Sequence, residues 1–514
     1  MSANLTMTDL FCGAGGSSTG ATMVGGIQVR LAANHWDRAI ETHNANHPDT
    51  DHLQADISQT DPRYVPTTDI LWASPECTNH SKAKGAVAGL KQPDLFGDTL
   101  PDAAAERSRA TMWDVVRFTE VHDYKAVLVE NVVEVVQWAF PRGEAGSQFR
   151  NWLQAMNNMG YRHRIISLNS MHAQKYGLPA PQSRDRVYIA FWRTGERAPD
   201  FEHMQRPKAF CPSCGEVVES MQTFKNPRTT VGKYRFQYVY RCPKHSCRGQ
   251  IVEPAWLPAA SFIDWSNPGV RIGDRDKPLA EKTMRRIQAG IDRYWSPLTV
   301  EHGGNNYDAA DPKHPSFGDP NGYYRAWPVS EPVKTMHARE SKALAYHPLM
   351  VPAGGTWNDD AWPVDRVARA RTTRENEGLA FPPFVSEMRG GGSVGHLASE
   401  PLSTVSAGGN HHALIMSYYS RDDAVKPANE PIATVTTEPR HGVMTNPSVD
   451  IEDVYFRMLE PGEIKQAMAF PPDYIMLGNR REQVKLSGNA VTPPAARDLV
   501  GTVVEAITGE QVAA

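Results

Sequence analysis

Four of the six cysteines fall in two close pairs, Cys211-Pro-Ser-Cys214 and Cys242-Pro-Lys-His-Ser-Cys247, separated by 27 residues, while Cys12 and Cys77 stand apart. Paired thiols at this spacing match the soft tetrahedral ligand set of a zinc ribbon better than a disulfide scaffold. Cys211, Cys214, Cys242 and Cys247 are therefore expected to hold a structural zinc, with His245 as a substitute ligand. Between the pairs, Lys225, Arg228, Lys233 and Arg235 interleave with Phe224, Tyr234, Phe236, Tyr238 and Tyr240. Such a segment either presents a basic, aromatic face to nucleic acid or packs its rings into a small sheet.

Cys77, in WASPECTNHS, lies just beyond a short apolar run and is a candidate nucleophile. A thiol reacts as the thiolate, which needs a depressed pKa or positive neighbours; without them a lone cysteine is an inert buried residue. Glu130 and Asn131 close the run VLVEN, and Arg184 and Arg186 alternate into the run VYIAFW. Singly, Glu130 is as good a helix cap and the arginines as good a solvated surface; their joint order carries more weight. DLFCGAGGSSTGA, Asp9 to Ala21, places glycines between an apolar run and a helical pattern, where backbone amides can approach a ligand at a helix N-terminus. Trp36 offers a face on which adenine can stack, and Asp56 a carboxylate for its amino group, although a core tryptophan and a capping aspartate are the plainer readings of each alone.

These residues need a scaffold that brings loop ends together. From Met7 to about Arg193 the runs MTDLF, DILWAS, AVLVENV and VYIAFW alternate with longer helical patterns such as Ala103 to Val121. That alternation predicts an α/β fold, a doubly wound sheet whose buried strands run parallel. Near Thr194 the texture changes, with frequent Pro and Gly and fading helical periodicity, and near Asp450 the earlier character returns. The expected organisation is a catalytic, cofactor-binding domain over 1–194 and 451–514, interrupted by a mainly β domain over 195–450 that holds the zinc ribbon near 208–250. Between 278 and 445 a motif recurs, as PLAEKTM, PVKTMHA, PLSTVSA and PIATVTT with a degenerate VARARTT, followed at similar offsets by Leu344, Leu379, Leu414 and Val443. Its irregular spacing predicts related hairpins and excludes a regular solenoid.

At 514 residues the chain is long enough for more than one structural unit. With 40% hydrophobic and 22% charged residues it has an ordinary globular composition and no apolar run of the length a membrane span needs. Met1 to Thr8 lacks a signal-peptide pattern, so no membrane association and a cytoplasmic location are expected. A net charge of -4 excludes a globally basic coat but leaves room for a locally positive cleft.

Taken in order, Asp9 to Gly16, the Cys77 loop, Glu130-Asn131-Val132, Gln182 to Arg186 and Gly488-Asn489-Ala490-Val491 resemble the motifs of DNA cytosine-5 methyltransferases, of the stand-alone bacterial or phage type. The resemblance implies a Rossmann-like fold that binds S-adenosylmethionine and acts as a monomer on double-stranded DNA, with the inserted segment as the target-recognition domain. Asp9, Phe11, Gly13, Gly16, Trp36, Asp56, Ile57 and Asn489 would hold the cofactor. Cys77 would attack carbon 6 of a flipped-out cytosine, Glu130 would hydrogen-bond its ring nitrogen 3, and Arg184 and Arg186 would orient the base and favour the thiolate. Two departures stand out: Pro75-Glu76-Cys77-Thr78 replaces the usual Pro-Cys-Gln, adding a negative charge that opposes thiolate formation. His35 stands where the family commonly has an acidic residue. An RNA cytosine-5 methyltransferase and a catalytically silent DNA-binding protein share most of these residues, and the recognised site and biological role are not encoded in any one of them.

Overall fold

The computed structural model describes residues 5–75, 101–139, 144–257, 451–453 and 455–512, parts of 261–284, and short strands between 298 and 416. Cys77 and the recurring segments at 332–338, 367–373 and 431–437 lie outside the described residues. The chain divides into two compact units: residues 1–263, 399–410 and 460–514 form the first, and 264–398 with 411–459 the second.

A seven-stranded mixed sheet organises the first unit. Its strands are β1 (Leu5–Leu10), β2 (Ile27–Asn34), β3 (Asp51–Gln54), β4 (Ile70–Ala73), β5 (Ala126–Asn131), β6 (Tyr161–Asn169) and, after a two-residue β7 (Gln182–Ser183), β8 (Asp185–Arg193). Their spatial order is β3-β2-β1-β4-β5-β8-β6. The first five are mutually parallel. Helices α1 (Gly16–Thr22), α2 (Asp37–Asn46), α3 (Pro101–His122) and α4 (Ser147–Asn158) connect strands. The continuous apolar runs of β4 and β5 are buried along their whole length, as befits strands covered on both faces.

The expectation of a parallel strand at VYIAFW is corrected here: β8 runs antiparallel to both β5 and β6. A parallel return from β6 would need a crossover element, and residues 170–184 supply only a short helical turn and β7, so the chain doubles back. An apolar run reports burial, not direction.

Beyond β8, a short helix α5 (Phe201–Met204) leads into a second, five-stranded antiparallel sheet. It comprises β9 (Lys208–Cys211), β10 (Glu216–Glu219), β11 (Met221–Phe224), β12 (Tyr238–Arg241) and β13 (Ile251–Pro254), in the order β10-β9-β13-β12-β11. The division into units thus falls after this sheet and not at 194/195, because Gln222 and Gly232 hydrogen-bond Ser167 of β6 and Tyr234 bonds Asp185 of β8. At the other end of the chain, helices α6 (Pro461–Ala467), α7 (Arg480–Asn489) and α8 (Pro493–Thr508) rejoin the first unit. Val491, Ala495, Ala496, Leu499 and Val503 share a core cluster with Met7 of β1 and Ala21 of α1, so the first domain is discontinuous in sequence.

The second unit is built of short antiparallel ladders. Leu298–Glu301, Leu349–Pro352 and Phe384–Glu387 each lie between a shorter strand that follows and a third strand, at Lys342–Ala345, Glu377–Ala380 and His412–Met416 respectively. Leu344, Leu379 and Leu414 occupy these third strands, opposite Thr299, Met350 and Val385. The recurring offset in sequence is therefore a recurring three-stranded antiparallel unit in space, with its first strand in the middle.

Candidate active site

Two loop clusters meet at the carboxyl ends of the parallel strands, where open α/β sheets collect ligands. The first begins at β1. Asp9 is fully buried, and its carboxylate accepts the hydroxyls of Ser17 (2.5 Å) and Ser18 (2.6 Å) in α1. Burial pushes its pKa up to about 6 in spite of these bonds. Asp9 thus ties the strand to the helix across the turn. Between them Phe11 adopts a left-handed conformation at φ 60° and packs on the core, while Gly13, at φ 54°, would direct a Cβ into open space. Gly16 and Gly20 face protein instead: a Cβ at Gly16 would overlap the Val491 carbonyl, and one at Gly20 would meet the backbone of Pro493.

The next two parts of the cluster are pinned by one residue. Asn34, which ends β2, accepts the Trp36 amide on its side chain (2.9 Å) and the Ala55 amide on its carbonyl (3.1 Å). Trp36 is half-buried, with the Lys485 ammonium 4.2 Å from its ring centroid. Asp56 is exposed and caps a turn by accepting the Ser58 amide (3.0 Å), and Ile57 is buried beneath it. His35 is exposed. Tyr474 donates to the Ala14 carbonyl, closing the C-terminal segment over the loop.

The second cluster carries the charged residues. Glu130, at the end of β5, forms an ion pair with Arg186 of β8, Nε to Oε1 2.8 Å, with the side chains 10% and 13% exposed. The neighbouring Asn131 donates to the Pro75 carbonyl (3.4 Å), two residues before Cys77. Arg184 goes elsewhere. It is buried, and its guanidinium donates to the carbonyls of Gly488 and Ala490 (3.1 Å each) on either side of the exposed Asn489. Of the two arginines only Arg186 reaches Glu130, while Arg184 fixes the end of α7. Cys12 is buried, and its thiol is pushed well above the usual range by that burial and by Asp9.

The four paired cysteines converge. Their Sγ atoms all lie within 4.8 Å of one another, with Cys211, Cys242 and Cys247 buried and Cys214 half-buried. The interleaved aromatics take the packing role: Tyr234, Tyr238 and Tyr240 are buried in one cluster with the cysteines, whereas Phe236 is exposed.

Sequence reasoning missed Asn34, Lys485 and Tyr474. A polar residue closing the buried run of β2 was a usable signal for Asn34. Lys485 and Tyr474 reach the loop only through the return of the C-terminal helices, which spacing along the chain does not reveal.

Sheet topology and loop placement define a Rossmann-like domain. Residues 5–241 match the family model described as C-5 cytosine-specific DNA methylase. The type II methyltransferase M.SsoII of Shigella sonnei is 29% identical over 203 residues, 39% of this chain and 46% of that protein. M.AgeI of Thalassovita gelatinovora is 26% identical over 197 residues, 37% of this chain and 40% of that protein. M1.ScrFI of Lactococcus lactis subsp. cremoris is 27% identical over 222 residues, 43% of this chain and 50% of that protein. The chain thus spans half or less of the length of these relatives. The S. pombe Dnmt2 methyltransferase structure covers 98% of this chain at 10% identity with a TM-score of 0.41, too low to bear on fold or function.

Proposed function

We propose that the chain is a DNA cytosine-5 methyltransferase that transfers a methyl group from S-adenosylmethionine to a flipped-out cytosine through a covalent adduct with Cys77. The observation that carries this reading is the second cluster: Glu130 holds Arg186, and the residue after Glu130 holds the backbone two positions before Cys77. The strand end leading toward Cys77, a carboxylate and a guanidinium thus come from β4, β5 and β8 at one end of the sheet.

Carbon 5 of cytosine is a poor nucleophile, and attack of the Cys77 thiolate on carbon 6 turns the ring into an enamine-like species. The Glu130 carboxyl delivers a proton to ring nitrogen 3 as negative charge develops there, and Arg186 holds the carboxylate that this leaves and contributes positive charge to the pocket. When bound, S-adenosylmethionine supplies an electrophilic sulfonium methyl. After transfer, loss of the carbon 5 proton and expulsion of the Cys77 thiolate restore the aromatic ring. Gly13 fits the cofactor because its side of the loop is open, and Trp36 and Asp56 flank that loop through Asn34. Asp9 and Gly16 act behind it, as the groups that hold the loop to α1 and to the C-terminal segment, and Arg184 holds the segment around Asn489. The partner is double-stranded DNA, read by the inserted domain, with the protein monomeric and cytoplasmic. Among the described residues no helix is long and apolar enough to cross a membrane.

Incubation with labelled S-adenosylmethionine and cytosine-rich duplex DNA is expected to yield 5-methylcytosine, and Cys77→Ala is expected to abolish it. Methylation confined to RNA, or tight DNA binding by the wild type without transfer, overturns this assignment.

The cysteine-bearing sheet is read as a zinc ribbon. Tetrahedral zinc with Zn–S bonds of about 2.3 Å sets sulfurs roughly 3.8 Å apart, and Cys211 and Cys247 already stand at 3.9 Å. Metal analysis is expected to find about one zinc per chain, with four thiols shielded from a thiol reagent until a chelator is added. Zinc-free protein whose four thiols titrate freely while folded contradicts it.

A further inference from the structure

A module built only to read DNA would be free to hinge on the catalytic domain, and the cysteine-bearing sheet is not. Besides the bonds to Ser167, it is tied to the segments that flank the reaction centre. Asp185, between Arg184 and Arg186, accepts the Tyr234 amide at 2.9 Å. Lys233 pairs with Glu134, four residues beyond Glu130, at 2.7 Å. His172 is buried and set edge-on between Tyr234 and Tyr240, at 4.5 and 5.0 Å between ring centroids. The turn that carries His172 is itself bonded to the arginine segment, since the Ser170 amide donates to the Arg184 carbonyl (2.9 Å). Tyr240 lies two residues before Cys242, in the same buried cluster as Cys211, Cys242 and Cys247.

We propose that the cysteine-bearing sheet is a positioning device for the reaction centre, in which the metal-held cysteines fix Tyr234, Tyr240 and Lys233 and these fix the segments carrying Glu130 and Arg186. The inference rests on the reading of the quartet as a metal site and deepens the proposed function. Asp185 and Lys233 are positioning residues that touch no substrate. Glu130 and Arg186 lie on neighbouring antiparallel strands, Glu130 directly opposite Tyr188. A small shift of either strand end changes how the pair meets a base, and misplacement of about 1 Å can cost on the order of 100-fold in rate.

The test uses the full chain in three states: metal-loaded, chelator-stripped, and stripped then resupplied with zinc. Hydrogen exchange is followed in residues 130–137, 167–173 and 182–189, with 37–54 as a distant control. Stripping is expected to speed exchange in the three test segments by about fivefold or more, reversed by zinc, with the control unchanged. Exchange that rises only within 208–254 overturns the proposal. Should stripping also open the control, Lys233→Met decides, because it leaves every cysteine in place. It is expected to retain zinc and S-adenosylmethionine affinity, to speed exchange at 132–137 and to lower kcat by about tenfold with little change in KM. Unchanged exchange at 132–137 in that variant overturns the proposal. A failure of the methyltransferase reading would show separately, as absence of transfer by the wild type, while the exchange data still report the coupling.

Discussion

Arg186→Met is expected to reduce kcat for methyl transfer by roughly 10³-fold, the scale seen when one preorganised donor is removed from a charge-stabilising site. The pair it breaks is short and shielded, 2.8 Å with both side chains nearly buried. Without the guanidinium, Glu130 becomes an uncompensated charge, which costs about 3–5 kcal/mol unless the carboxylate takes up a proton. Glu130→Gln removes charge from the other side while keeping an acceptor for Arg186, so its loss of rate should exceed its loss of stability. Because the two residues act as a unit, the double variant should be little slower than either single one. Steady-state kinetics with thermal unfolding on all four proteins gives the comparison. Losses that simply multiply, or a single-variant loss under about tenfold, would remove the pair from the reaction centre.

The same pair shows how much of the site was legible in the sequence. Glu130 and Arg186 could be named because each ends or begins an apolar run, and strand ends are where a sheet exposes chemistry. Their partnership could not, because it depends on β8 running antiparallel to β5, and an apolar run carries no direction. Arg184 and Arg186 look equivalent in Gln182 to Arg186, and two residues apart on one regular strand they would share a face, yet Arg184 lies in the break between β7 and β8 and reaches the carbonyls around Asn489, while Arg186 lies within β8 and reaches Glu130. The cysteine quartet was legible because metal ligation imposes a local spacing. Its attachment to β6 and β8 was not, since Ser167, Asp185 and Glu134 carry no mark of the residues that bind them.

Gly16→Ala is expected to destabilise the first unit by about 3 kcal/mol, at the upper end of ordinary overpacking. A glycine-rich turn beside a cofactor invites a single explanation for all its glycines, close approach to the ligand, and the geometry divides them. A Cβ at residue 16 would stand 2.9 Å from the Val491 carbonyl carbon, and one at residue 20 would stand 2.6 Å from the Ala496 Cβ. Neither neighbour can swing aside, for Val491 is backbone leading into α8, and α8 packs along α1 in the core of the unit. These glycines bring the C-terminal helix down onto the cofactor loop. Gly13 has no neighbour for its absent Cβ, so Gly13→Ala pays only the left-handed backbone strain of about 1–2 kcal/mol and puts a methyl group where the ligand is proposed to lie. The two substitutions should therefore separate: Gly16→Ala lowers the Tm strongly and cofactor affinity with it, whereas Gly13→Ala lowers the Tm modestly and raises the cofactor Kd by about tenfold or more. Calorimetric titration with S-adenosylmethionine beside thermal unfolding distinguishes them. A Gly16→Ala protein melting within a degree or so of wild type would mean that α1 and α8 are not in close contact.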